Sequence, residues 1–144
     1  MDTRLSVLIA DGNEDFSEHL KETIQNGGYE VTGIAGDGLQ AVERMRDCPP
    51  GRYDLILMDI QMPHMDGYEA TRAIRRMERP DAGRIPILAM TANAFDEDRQ
   101  RALEAGMNGH IAKPIEIPKL MDALYRLLAE PKTAPAKDRR REPR

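Results

Sequence analysis

Only one cysteine, Cys48, occurs in the chain. An internal disulfide framework is therefore excluded, and a reducing, cytoplasmic setting is expected. Cys48 itself reads as an ordinary residue near the end of a helix. No apolar run approaches the ~20 residues a membrane-spanning helix needs, which argues against membrane insertion. The N-terminus passes from Met1-Asp-Thr-Arg4 straight into a short strand pattern, without the features of a signal peptide. No internal repeat is found. Charge of one sign is also modest, at −4 overall, but it is unevenly spread. Residues 132–144 hold six bases (Lys132, Lys137, Arg139, Arg140, Arg141, Arg144) against two acids, leaving residues 1–131 with 15 bases and 23 acids. An acidic body argues against nucleic acid as the main partner and against direct DNA binding. The basic tail is too short and too poor in apolar side chains to fold alone, so residues 131–144 are expected to be disordered. What remains, residues 1–130, suits one domain with a substantial single core.

That domain is organised around Tyr53-Asp-Leu-Ile-Leu-Met-Asp-Ile-Gln-Met-Pro-His-Met-Asp-Gly67. Leu55 to Met58 has the length and composition of a strand covered on both faces. It ends in a carboxylate, Asp59, followed by Pro63, a turn at Asp66-Gly67 and a helical pattern over 68–77. Before it, Leu5 to Ala10 reads as a buried strand ending at Asp11. Asn13 is placed to cap a helix over Glu14 to Asn26, in which Phe16, Leu20 and Ile24 face the sheet. Gly27-Gly28 stops that helix, Tyr29 to Ala35 reads as a strand, and Leu39 to Arg46 as a helix. After the central segment come a strand over Ile85 to Ala92, with Pro86 tolerated at its start, and a helix from about Phe95 to Ala105 closed by Gly106. A short strand, His110 to Ala112, leads through Lys113-Pro114 into an amphipathic helix over Ile117 to Ala129. Five strands alternating with five helices predict an α/β, doubly wound, flavodoxin-like fold: a five-stranded parallel sheet in the order 2-1-3-4-5.

In such a fold the carboxyl ends of strands one, three, four and five open onto one edge, where ligands bind. This sequence delivers Asp11, Asp59, Thr91 and Lys113 there. Two carboxylates can hold a hard divalent cation such as Mg²⁺, which prefers oxygen ligands and keeps several waters. A lysine and a hydroxyl opposite them can take phosphoryl oxygens, and a carboxylate between can act as covalent acceptor. Flavodoxin-type nucleotide binding competes poorly, because the edge opens with acids rather than a Gly/Ser/Thr-rich phosphate loop.

Leu8-Ile-Ala-Asp11, the run from Asp59 to Gly67, Met90-Thr91-Ala92 and Lys113-Pro114 together resemble the receiver domain of two-component response regulators, most closely the receivers attached to hybrid histidine kinases. The resemblance covers about residues 4–130. It implies that Asp59 accepts a phosphoryl group from a phosphohistidine on a histidine kinase or histidine phosphotransfer protein. It further implies that Asp11 and Asp59 belong to a metal pocket, to which Gln61 lends its backbone carbonyl. Thr91 would bond the phosphoryl group and draw its loop inward, Lys113 would pair with a phosphoryl oxygen, and Pro114 would be cis. The switch position falls on His110. Signalling would run through altered protein–protein binding on the face of the fourth helix, fifth strand and fifth helix. The activity expected is phosphoryl acceptance, with at most self-phosphorylation and self-dephosphorylation, and not turnover of a separate substrate.

Two departures from the family pattern bear on these expectations. The family usually has two adjacent acids after its first strand, whereas here Gly12 follows Asp11. Mg²⁺ binding is therefore expected to be weak, although Glu14 and Asp15 lie near and otherwise serve as helix-dipole acids. The loss of one carboxylate also lowers repulsion at the site and so the need for a counter-cation. At the switch position, His110 supplies either a group titratable near neutrality or simply a ring that packs in or out. Three functions follow. The first is a single-domain, phosphorylated receiver, since no output domain fits into the 14 residues after Glu130. The second is a degenerate receiver serving as a phosphorylation-independent interaction module, because Gly12 cripples the metal site. The third, a hydrolase with an aspartate nucleophile, lacks a second acid two residues after Asp59, where Gln61 stands.

Overall fold

The computed structural model describes residues 4–92 and 96–129. Its strands are β1 (Ser6–Ala10), β2 (Glu30–Ala35), β3 (Leu55–Asp59), β4 (Ile87–Thr91) and β5 (Gly109–Ala112). Its helices are α1 (Glu14–Asn26), α2 (Gly38–Asp47), α3 (Gly67–Arg75), α4 (Asp96–Ala105) and α5 (Ile117–Ala129). The strands form one parallel sheet in the order β2-β1-β3-β4-β5, so the architecture expected from the sequence is the one found. The start proposed for the fourth helix at Phe95, and the tail at 131–144, lie outside the described residues.

Burial explains why the central strands read as unbroken apolar runs. Every residue of β1, β3 and β4 is buried, because successive side chains leave opposite faces of the sheet and both faces are covered. Leu8, Ile56, Met58, Ile87 and Ala89 point to one side, where Met45, Ile74 and Ala102 close over them from α2, α3 and α4. Val7, Ile9, Leu55, Leu57, Leu88 and Met90 point to the other, against Leu20 and Ile24 of α1 and Leu120 and Leu124 of α5. Burying one such side chain is worth about 1.5–3 kcal/mol, so these two layers supply most of what holds the sheet. Among the described residues no helix is long and apolar enough to cross a membrane.

Some boundaries move from their expected places, each for a local reason. β4 begins at Ile87 and not at Ile85: Ile85 N–H closes a turn onto the Asp81 carbonyl at 3.0 Å, while the Pro86 carbonyl accepts from Ile56 N–H at 2.9 Å. Pro86 thus contributes an acceptor to the ladder without needing the N–H it lacks. α3 starts at Gly67 because Asp66 forms a capping box with Glu69: Asp66 Oδ1 accepts from Glu69 N–H at 2.8 Å and Glu69 Oε1 accepts from Asp66 N–H at 3.4 Å. Gly67 itself lies against the Asp59 carbonyl so closely that a Cβ would collide with backbone. That contact seats the start of α3 directly over the end of the central strand.

Candidate functional site

Asp11 follows β1 directly. Its backbone N–H donates to the Ala35 carbonyl at 3.0 Å, which carries the chain to the sheet edge before it turns into α1. The side chain is nearly sealed, and both its oxygens are engaged: Oδ1 accepts from Asn13 N–H at 2.8 Å and Oδ2 from Lys113 Nζ at 2.8 Å. Asn13 in turn caps α1, its Oδ1 accepting from Phe16 N–H at 3.0 Å.

Asp59 ends β3 beside Met90 of β4 and is 8% exposed. Lys113 Nζ lies 3.4 Å from its Oδ2. Burial first, and then the charge of Asp11, raise the Asp59 carboxyl from the ordinary 3.8 to about 6, against the opposing pull of Lys113 and the Gln61 backbone N–H. Thr91 ends β4, buried, next to Ala112 of β5. The Lys113 N–H donates to its carbonyl at 2.8 Å. The Lys113–Pro114 peptide bond is cis.

The fold therefore draws Asp11, Asp59 and Lys113 into direct contact and sets Thr91 and Gln61 beside them. One ammonium between two carboxylates leaves the cluster one negative charge in excess. Gly12 is exposed, and a Cβ there would meet Pro63 Cδ at 3.4 Å and the Gly36 carbonyl at 3.5 Å, ordinary contact distances. Glu14 and Asp15 are exposed, and among the described residues no three His, Cys, Asp or Glu side chains converge. The oxygens brought together here are thus the Asp11 and Asp59 carboxylates, with Gln61 adjoining them through its backbone N–H to Asp59. Their chemistry fits Mg²⁺, but with few protein ligands.

His110 is half-buried on the edge strand, opposite Ala89. It lines a groove of about 430 Å³ that runs from Lys113 and Pro114 past Lys119, Asp122 and Arg126 of α5.

Two features at this edge escape a reading of the sequence. Lys113 Nζ stands 4.5 Å above the centre of the Phe16 ring, although helical spacing had assigned Phe16 only to the sheet-facing stripe. On the opposite rim, His64 Nδ1 and Asp37 Oδ2 are 2.8 Å apart, with His64 in the left-handed region at φ 67°. Asp37 is held below the usual carboxylate range by the Gln40 backbone N–H and then by His64. No local pattern announces either pair, because each joins segments distant in sequence.

The response regulator receiver domain family matches residues 7–125. Among curated proteins, hybrid signal transduction histidine kinase I of Dictyostelium discoideum is 42% identical over 117 residues, 80% of this chain and 7% of its own length. The osmosensing histidine protein kinase SLN1 of Saccharomyces cerevisiae is 36% identical over 131 residues, 89% of this chain and 10% of its own. The chain thus spans a tenth or less of either relative. Among solved structures, the receiver domain of sensor histidine kinase PA1611 from Pseudomonas aeruginosa PAO1 superposes with a TM-score of 0.78 at 38% identity, covering 89% of this chain and all of that one. That crystal structure holds a magnesium ion coordinated in its active-site cleft. Chemotaxis protein CheY4 of Vibrio cholerae matches with the same TM-score at 31% identity, over 88% of this chain and all of that one. By the family match over residues 7–125, by sequence identity to hybrid-kinase relatives and by the fold alike, this chain belongs to the response regulator receiver domains of two-component signalling.

Proposed function

We propose that the chain accepts a phosphoryl group on Asp59 from a phosphohistidine, carried by a histidine kinase or a histidine phosphotransfer protein. The observation that carries this reading is the placement of Lys113, 2.8 Å from Asp11 and 3.4 Å from a buried strand-end carboxylate. An Asp59 oxygen attacks phosphorus, the phosphorus–nitrogen bond to the donor histidine breaks, and the imidazole keeps the electron pair. Lys113 turns its ammonium to a phosphoryl oxygen and offsets charge as it develops. Thr91 donates its hydroxyl to another phosphoryl oxygen and draws the loop after β4 inward. Asp11, Asp59 and the Gln61 carbonyl would hold Mg²⁺, which when bound supplies further neutralisation of the phosphoryl oxygens. With Gly12 in place of an acid, that binding is weak.

His110 is the candidate relay from Thr91 outward. The groove it lines continues from Lys113 along α5, so an inward shift of the loop after β4 would reshape the α4–β5–α5 face and change which protein it binds. The phosphorylated unit is taken to be residues 1–130. A second reading, a degenerate receiver that binds partners without phosphorylation, is favoured by the absence of three converging acids among the described residues. A phosphate-affinity gel after treatment with a phosphorylated partner or a small phosphodonor, with and without Mg²⁺, decides between them. Label on the wild type and none on Asp59→Asn supports acceptance at Asp59. An unlabelled wild type under both conditions selects the interaction module, and label surviving in Asp59→Asn refutes the acceptor assignment.

A further inference from the structure

Three groups surround the Lys113 ammonium. Two are the carboxylates of Asp11 and Asp59, at 2.8 and 3.4 Å. The third is the face of the Phe16 ring, at 4.5 Å from its centre, inside the ~6 Å over which a ring quadrupole attracts a cation. The ring is not placed there by packing alone. Asn13 donates its N–H to Asp11 and accepts the N–H of Phe16 in the first turn of α1, so acid, cap, ring and ammonium form one closed circuit. The Lys113 side chain is 27% exposed, and a ring against one side of it removes water where phosphoryl oxygens must compete for the same protons. Attraction between ammonium and oxyanion strengthens as water is excluded. Gly12 makes this arrangement matter more, since a site with fewer metal ligands depends more on its resident cation.

We propose that Phe16 is a positioning residue for phosphoryl transfer: its ring holds the Lys113 ammonium, partly shielded from water, between Asp11 and Asp59. The proposal rests on Asp59 being the acceptor. A purely structural role is the competing account, because Phe16 also packs against the core layer beneath α1 and α5. Leucine keeps an apolar side chain and loses the π face, whereas tyrosine and tryptophan keep the face.

The test uses the full chain with phosphoramidate, whose phosphorus–nitrogen bond resembles that of the natural donor. The second-order rate constant for labelling should fall about fivefold in Phe16→Leu, equivalent to ~1 kcal/mol, and stay within about twofold of wild type in Phe16→Tyr and Phe16→Trp. The Lys113 ε-methylene protons should be shifted upfield by the ring current in wild type and Phe16→Tyr, and lose that shift in Phe16→Leu. A Phe16→Leu protein that labels like wild type would overturn the proposal. So would equal losses in all three variants, which would mark a packing role. If the wild type takes no label, or Asp59→Asn takes it, the acceptor assignment fails first and the role of Phe16 fails with it.

Discussion

At the scale of single residues, the site is a compromise between burial and charge. Asp59 is sealed among apolar strands with a second acid beside it, and its carboxyl titrates near 6. In the unfolded chain the same group ionises near 3.8, so between these values the folded state binds more protons and stability falls as pH rises. Above pH 6 the full penalty applies, and below 3.8 it vanishes. Asp59→Asn should therefore be more stable than wild type at pH 7.5 by about 1–3 kcal/mol, the upper end being the full shift at ~1.4 kcal/mol per unit. Denaturant unfolding at pH 7.5 and at pH 4 measures this, and a gain as large at pH 4 would show that charge is not its cause. The space around Gly12 bears on the metal in the same way. A Cβ there meets only ordinary contacts, so Gly12→Asp should fold and tighten Mg²⁺ binding by about tenfold or more, or ~1.4 kcal/mol. Titration calorimetry on both proteins provides the comparison, and equal affinities would mean that another oxygen already completes the shell.

Between elements, arginines do much of the fastening. Arg75, the last residue of α3, donates from Nε and Nη2 to the Gly106 carbonyl at 3.0 and 2.8 Å, from Nη1 to the Ala82 carbonyl at 2.9 Å, and from Nη2 to Asn108 Oδ1 at 2.9 Å. It thereby ties α3 to the loop that leads from α4 into β5. Asn108 Oδ1 also accepts from Ile87 N–H at 2.8 Å, so the same knot fixes the start of β4. Gly106 adopts φ 109°, and a Cβ there would press on Arg75 Cγ at 3.0 Å, so this turn is closed to larger residues twice over. Arg75→Ala leaves the Gly106 and Ala82 carbonyls without this donor and should destabilise by about 2–3 kcal/mol. Arg75→Lys should recover less than half of that, because an ammonium cannot reproduce the planar fork. Thermal unfolding of the three proteins tests the ordering; a lysine variant equal to wild type would reduce the contact to a point charge.

At the scale of the whole molecule, both core layers are built from residues of the sheet, its helices and their connections among the described residues. α5 ends at Ala129, and its buried face is already seated by Leu120, Ala123, Leu124 and Leu128. Residues 131–144 add three prolines and almost no apolar side chain, so truncation after Glu130 should leave the melting temperature within about a degree or two. A larger drop, measured at low and high salt, would show the basic segment contributing to the acidic body's stability.

The amino-acid sequence by itself determined the order of the ten elements, the parallel sheet and the acids and lysine at its edge. These follow from local causes: apolar runs of strand length, helical spacing, a cap such as Asn13, and breakers such as Gly27, Pro63 and the Asp66-Gly67 turn. Such causes act over a few residues, so they can be read along the chain. Boundaries at Gly67 and Ile87 were harder, because a capping box and a ladder carbonyl from Pro86 decided them. Only the tertiary structure decided that Lys113 sits between Asp11 and Asp59 with Phe16 at its back, and that His64 pairs with Asp37. Those contacts join segments far apart in sequence, and their geometry is fixed by the register of the five strands rather than by any spacing along the chain. The Asp59 shift has the same origin, since it depends on how completely the folded sheet removes water from one carboxylate beside another.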